Sequence, residues 1–187
     1  LLDSEADPLD VASGIGPGAI YYVDVATRSA RPYFSDSLMV APRDMIFDGR
    51  GGLFVIDSDA DPGNFGFRGG AVFHVDLLQK KSTVYSASAD FRGLFAAAIG
   101  PDGLLYVLDR DATLTPNPQA HGAIFRIDRM GNAELYAAST QFRRPTHLAF
   151  TASGGLMVCD ELADPSSFGE QHGAIFLQPS PGTDFGV

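Results

Sequence analysis

At 187 residues with 45% hydrophobic side chains, the chain is long enough to bury one core and too short to need several globular domains. Its 21 glycines and 12 prolines beside only 19% charged residues argue for many short elements joined by turns, and against long helices or disorder. A net charge of -10, with 13 Lys and Arg scattered and no basic stripe, argues against nucleic acid as a partner. No apolar run approaches the ~18 residues of a membrane-spanning helix. The single cysteine, Cys159, cannot form an internal disulfide, and its place after Leu156-Met157-Val158 predicts a buried, inert thiol.

In chain order, the opening Leu1-Leu2-Asp3 is the end of an apolar strand, and DSEADP from Asp3 mirrors DSDADP from Asp57. The chain therefore begins inside a repeat, and the absence of an initial Met suggests a leader, tag or longer N-terminal region ahead of it. A second strand, GAIYYVD, starts at Gly18 and recurs as GAVFHVD at Gly70, GAIFRID at Gly122 and GAIFLQP at Gly173, at spacings of 52, 52 and 51 residues. Each later copy is preceded by a related element: GGLFVID from Gly51, DGLLYVLD from Asp102, GGLMVCD from Gly154.

Between these landmarks each period resolves into four strands. In the second repeat they are predicted at 44–47, 53–56, 71–75 and 82–85, separated by Asp48-Gly49, by the long 57–70 loop and by 77–81. The first two are nearly continuous apolar runs, which predicts burial on both faces; the outer two alternate more. Four strands per repeat of about 40–50 residues is the pattern of propeller blades, small sheets that bury their faces against one another around a channel. The predicted fold is all-β and β-propeller-like: a single partial domain over 1–187, with about three and a half blades at approximately 1–41, 42–91, 92–143 and 144–187. Open ends of such a stack expose apolar faces and strand edges, so further blades or a partner chain are expected to cover them.

The run of proline, apolar strand, Asp-Gly or Gly-Gly, Leu-x-Val-x-Asp, loop and Gly-Ala-Ile-x-x-Val-Asp resembles the NHL and SMP-30/gluconolactonase-like six-bladed β-propellers. The resemblance covers essentially the whole chain and implies the fold. That superfamily holds lactonases, lyases and pure binding modules, so it does not by itself imply a reaction. In its lactonase-like branch a catalytic divalent metal is held by Glu, Asn and Asp, one of them directly after the proline that opens an innermost strand. Here Pro42 is followed by Arg43 and Pro145 by Thr146, and the matching place after Gly93 holds Leu94, so the resemblance implies no complete metal site in these blades.

The carboxylates Asp57, Asp59 and Asp61 alternate as calcium ligands do, but an EF-hand needs glycine at its sixth place and glutamate at its twelfth, where Pro62 and Arg68 stand. Acidic residues recur in register at Asp109 and Asp111 and at Asp160 and Asp164, which favours turn capping; calcium at Asp57, Asp59 and Asp61 is the alternative. His121 and His172 are read as loop-end residues. His147 starts an innermost strand, and with its counterparts Asp44 and Phe95 it is expected to line one end of the channel as a ligand site. Phe65, Phe67 and Phe168, on long loops of one rim, are candidate aromatic anchors for a partner. Arg28, Arg31, Arg43, Arg143 and Arg144 are expected away from that acidic rim.

Neither G-x-S-x-G, H-E-x-x-H, C-x-x-C nor a P-loop is present, and Gly14 to Gly18 lacks the spacing of a phosphate cradle. Three functions remain: a noncatalytic module binding other protein chains in an assembly, a calcium-dependent lactonase or hydrolase whose site lies mostly outside this chain, and a binder of small ligands in the channel. The acidic surface and the resemblance to exported propellers favour a periplasmic or extracellular setting.

Overall fold

The computed structural model describes residues 1–3, 18–114, 121–165, 173–180 and 184–186. Among them the chain is built from strands alone, and no helix is long and apolar enough to cross a membrane. The four sheets are antiparallel meanders in chain order: β1 (Leu2–Asp3), β2 (Ala19–Asp24) and β3 (Ser29–Phe34); β4 (Pro42–Phe47), β5 (Gly52–Asp57), β6 (Ala71–Asp76) and β7 (Lys81–Ala87); β8 (Leu94–Ile99), β9 (Leu105–Asp109), β10 (Ala123–Ile127) and β11 (Ala133–Ala138); and β12 (Pro145–Phe150), β13 (Leu156–Asp160) and β14 (Ala174–Gln178). The second-repeat strands lie where the apolar runs place them.

Between sheets, β1 packs on β4, β4 on β8 and β8 on β12, so the innermost strands meet in series. Three apolar cores fill the three interfaces. Ile20, Met39, Val55 and Phe73 join the first and second sheets. Ile56, Val72, Phe91, Leu105 and Phe125 join the second and third, and Leu108, Ile124, Leu148, Val158 and Phe176 join the third and fourth. β5 and β9 are almost wholly buried, as their continuous apolar runs predict. The innermost strands differ: β8, with a full sheet on either side, is largely buried, whereas β4 and β12 are open at several positions. β4 meets only the two-residue β1 on one side, and β12 has the third sheet on one side only among the described residues.

The repeated glycine of the GA motif has a specific role. Gly18, Gly70 and Gly122 have φ of +74°, +98° and +116°, a region that side chains strain to occupy. A Cβ would also lie 2.5 Å from Pro42 Cγ at Gly18, 3.2 Å from Leu94 Cγ at Gly70 and 2.5 Å from Pro145 Cγ at Gly122. Pro42, Leu94 and Pro145 each open the next sheet's innermost strand, so the glycine beat marks the joint between consecutive sheets.

A β-bulge recurs too. In β4, β8 and β12 the register slips after the first residue: Pro42 faces Asp57 but Asp44 faces Ile56; Leu94 faces Asp109 but Ala96 faces Leu108; Pro145 faces Asp160 but His147 faces Cys159. Arg43, Phe95 and Thr146 are the extra residues. Bulges raise local twist and re-aim neighbouring side chains, which suits strands that converge on an axis.

Candidate functional site

In the second, third and fourth sheets the long-loop rim is organised by one buried carboxylate at the end of the second strand. Asp57 and Asp109 are fully buried and Asp160 nearly so. Oδ1 of Asp57 accepts the N–H groups of Asp59 and Ala60, both at 2.9 Å, and Oδ2 those of Val40 at 2.7 Å and Ala41 at 3.0 Å. Asp109 repeats this with Asp111, Ala112 and Arg92, and Asp160 with Leu162, Ala163, Arg143 and Arg144. Burial pushes the carboxyls of Asp57 and Asp109 up, against the pull of these N–H donors. Each carboxylate ties the following loop and the segment entering the innermost strand to the strand end.

Of the calcium candidates, Asp57 therefore spends both oxygens on backbone. Asp59 accepts the Ser58 hydroxyl at 3.0 Å, and Asp61 closes its own turn onto the N–H groups of Phe65 and Gly66. The three carboxylates have separate partners, and among the described residues no group of three His, Cys, Asp or Glu is arranged to hold a metal ion.

The bulges correct the channel trio by one residue. Asp44 and His147 occupy matching register places, but the third-sheet counterpart is Ala96; Phe95 is the bulged residue, matching Arg43 and Thr146. The place after the strand-opening residue thus holds Arg43, Phe95 and Thr146 rather than Leu94 in the third sheet, and none of them brings a carboxylate or amide. Asp44 holds neighbouring sheets together, since its Oδ2 accepts the Ala97 N–H at 2.9 Å and so satisfies the free inner edge of β8. Phe95 lies under the Arg110 guanidinium, 4.1 Å from its ring centroid, and His147 is exposed.

Phe65 and Phe67 are part-exposed on the rim with ring centroids 6.3 Å apart, and the Arg92 guanidinium stacks on Phe67. Phe168 and His172 lie outside the described residues. The arginines do not segregate as expected: Arg43 donates to Ser58 at 3.0 Å and Arg144 pairs with Glu161 at 2.8 Å, which puts both on the acidic rim. Alternation along a strand cannot tell which end of the sheet a residue occupies, and Arg43 stands at the end where Asp57 ends β5. Cys159, expected to be buried, is half-buried on the outward side of the fourth sheet.

At the opposite rim lies a histidine–aspartate pair that the sequence pattern does not announce. His74 Nε2 lies 2.9 Å from Asp48 Oδ2, while Asp48 Oδ1 accepts the N–H groups of Arg50 and Gly52. Burial pushes Asp48 up, but the His74 bond and the two backbone donors outweigh it and bring the carboxyl down to about 2. A carboxyl lowered on folding stabilises the fold fully above its ordinary value of 3.8 and loses that contribution as pH falls through about 2. Asp48→Asn is accordingly expected to destabilise the chain in urea titrations at about pH 5 and to make little difference near pH 2. An equal gap at both pH values contradicts this assignment.

Sheets of antiparallel strands, packed face to face with their innermost strands in series, define a β-propeller-type protein. Solved structures with this fold resemble the chain. Among them are a nidogen/laminin complex (TM-score 0.64, 14% identity, 91% of this chain and 56% of that one), luciferin-regenerating enzyme (0.58, 18%, 95% and 60%) and a structural genomics protein of unknown function from Bacteroides thetaiotaomicron VPI-5482 (0.56, 12%, 79% and 38%). The chain thus spans 38% to 60% of the length of these structures. At such identities the likeness carries the fold. No protein-family model and no curated protein matches the sequence.

Proposed function

We propose that the chain is a noncatalytic β-propeller module that docks other protein chains and helps hold an assembly together, using the outward face of its fourth sheet. That face carries the reading. Across β12, β13 and β14 it presents two rows, His147–Cys159–Ile175 and Ala149–Met157–Leu177, with Ile175 54% and Leu177 39% exposed. The matching row in the third sheet, Ala96–Leu108–Ile124, is buried by the fourth, and Ile56 and Val72 of the second are buried by the third. The fourth face has the apolar character of surfaces that the fold covers elsewhere, so the surface that fits it is an apolar sheet face of the same blade type, which this reading places on another chain. The nidogen/laminin likeness is in keeping with a propeller that binds protein.

Light scattering across a concentration series tests this, with Cys159 as an internal reporter because its thiol lies on the face. The chain is expected to associate, with slow maleimide labelling of Cys159. Ile175→Lys combined with Leu177→Lys is expected to return monomers that label at least about tenfold faster. Because a calcium-dependent lactonase is the alternative reading of the sequence, lactone hydrolysis with and without a chelator is the companion assay. A stable monomer that hydrolyses a lactone overturns the proposal.

A further inference from the structure

The side groove between the second and third sheets is a separate feature. It encloses about 770 Å³ at the rim opposite the long loops. Phe54, His74 and Tyr85 form its floor, with ring centroids 4.7 Å apart for Phe54 and Tyr85 and 5.4 Å for Phe54 and His74. Arg50 and Arg129 stand at its mouth.

The internal repeat supplies a control. Register places Phe54, His74 and Thr83 in one row, matched in the third sheet by Tyr106, Arg126 and Glu134. There the space is filled: Tyr106 has Tyr136 at 4.9 Å and Phe150 of the next sheet at 4.8 Å, and Arg126 spends its charge on Glu134. In the second sheet the row carries the shorter His74 and Thr83, and Ile99 stands where the next interface has Phe150. The groove is therefore not shared by the joint between the third and fourth sheets.

Its charges are not self-cancelling. Asp48 gives its oxygens to two backbone N–H groups and His74, and Asp76 Oδ1 accepts the N–H groups of Leu78 and Gln79. Both acids are engaged in turns. Among the described residues neither the Arg50 nor the Arg129 guanidinium has a hydrogen-bond or ion-pair partner. Two open guanidinium groups beside half-exposed aromatic rings make a local positive site in a protein of net charge -10, and that pairing favours a flat anion.

We infer that the groove is a binding site for a small planar aromatic carboxylate, its ring on Phe54 and Tyr85 and its carboxylate between Arg50 and Arg129. This goes beyond the docking role and does not depend on it. The probe is 2-naphthoate, followed by its own fluorescence anisotropy, which the absence of Trp leaves unobscured. Saturable binding is expected, weakened about tenfold by Arg50→Gln and by Arg129→Gln separately. Thr83→Glu, which installs the third sheet's acid beside His74, is expected to abolish it. Both arginines are exposed, and circular dichroism melting checks that each variant remains folded. The inference is overturned if 2-naphthoate does not bind, if neutral 2-naphthalenemethanol or inorganic phosphate binds as well, or if folded arginine variants bind undiminished.

Discussion

Asp109→Ala is expected to lower the stability of the fold by roughly 3–5 kcal/mol, more than any surface substitution. The side chain is fully buried, and its two oxygens hold the N–H groups of Arg92 at 2.6 Å, Asp111 at 3.0 Å and Ala112 at 2.9 Å. Truncation strands the buried Ala112 donor, deprives the part-buried Arg92 and Asp111 donors of their acceptor and leaves a void, and each buried unsatisfied group costs about 1–3 kcal/mol before any relaxation. Asp109→Asn keeps the shape and one acceptor oxygen but turns an NH₂ toward the donors of the other side. About half the loss is therefore expected, giving the order Asp > Asn > Ala in melting temperature. For a chain of this size the alanine variant should melt roughly 10 °C lower, as scanning calorimetry would show. Equal stability of all three sequences would mean that water or the loop itself can satisfy these donors.

Gly122→Ala should cost about as much by a different route. At φ +116° a side chain is strained, and the added Cβ would sit 2.5 Å from Pro145 Cγ and 3.0 Å from Pro145 Cδ, where a rigid ring cannot turn aside. Backbone strain of about 1–2 kcal/mol and overpacking of about 1–3 kcal/mol together predict a loss of roughly 3 kcal/mol. Gly103→Ala is the control. It has φ +74° and nothing within 4 Å of the new Cβ, so it should show only the strain. Denaturant titration of both variants separates the two contributions, and equal losses would show that the contact with Pro145 contributes nothing.

Those two residue types explain why so much of the fold can be read from one sequence. A glycine needed at each joint and an aspartate needed at the end of the second strand in the last three sheets are local demands, and each repeat must meet them in its own letters. Asp57, Asp109 and Asp160 thus announce capped turns without any knowledge of strand pairing. The bulge is not legible, because Arg43, Phe95 and Thr146 share no side-chain character; what they share is a backbone slip. Strict alternation therefore matches Phe95 to Asp44 and His147 when Ala96 holds that place.

The candidate surfaces are less legible still. The two rows of the fourth face are ordinary strand residues until one sees that the same rows elsewhere are covered. The side groove draws Asp48, Phe54, His74 and Tyr85 from four separate places in one sheet and Ile99 and Arg129 from the next. No spacing in the sequence connects them, and the absence of a bulky neighbour, which makes the groove, leaves no letter of its own.

The glycine-to-next-strand joint also bears on how such a chain can change length. Each such contact reaches forward to the first residue of the next sheet's innermost strand, and Tyr33 and Tyr85 likewise reach forward in donating their hydroxyls to the carbonyls of Leu77 and Asp128. Duplicating or deleting one whole period would keep the glycine contact and the forward reach at each junction, although the side chains that fill it would change. The architecture is in that sense open to growth by copying, and it is the two outermost surfaces, not the links between units, that would have to adapt to a new number of them.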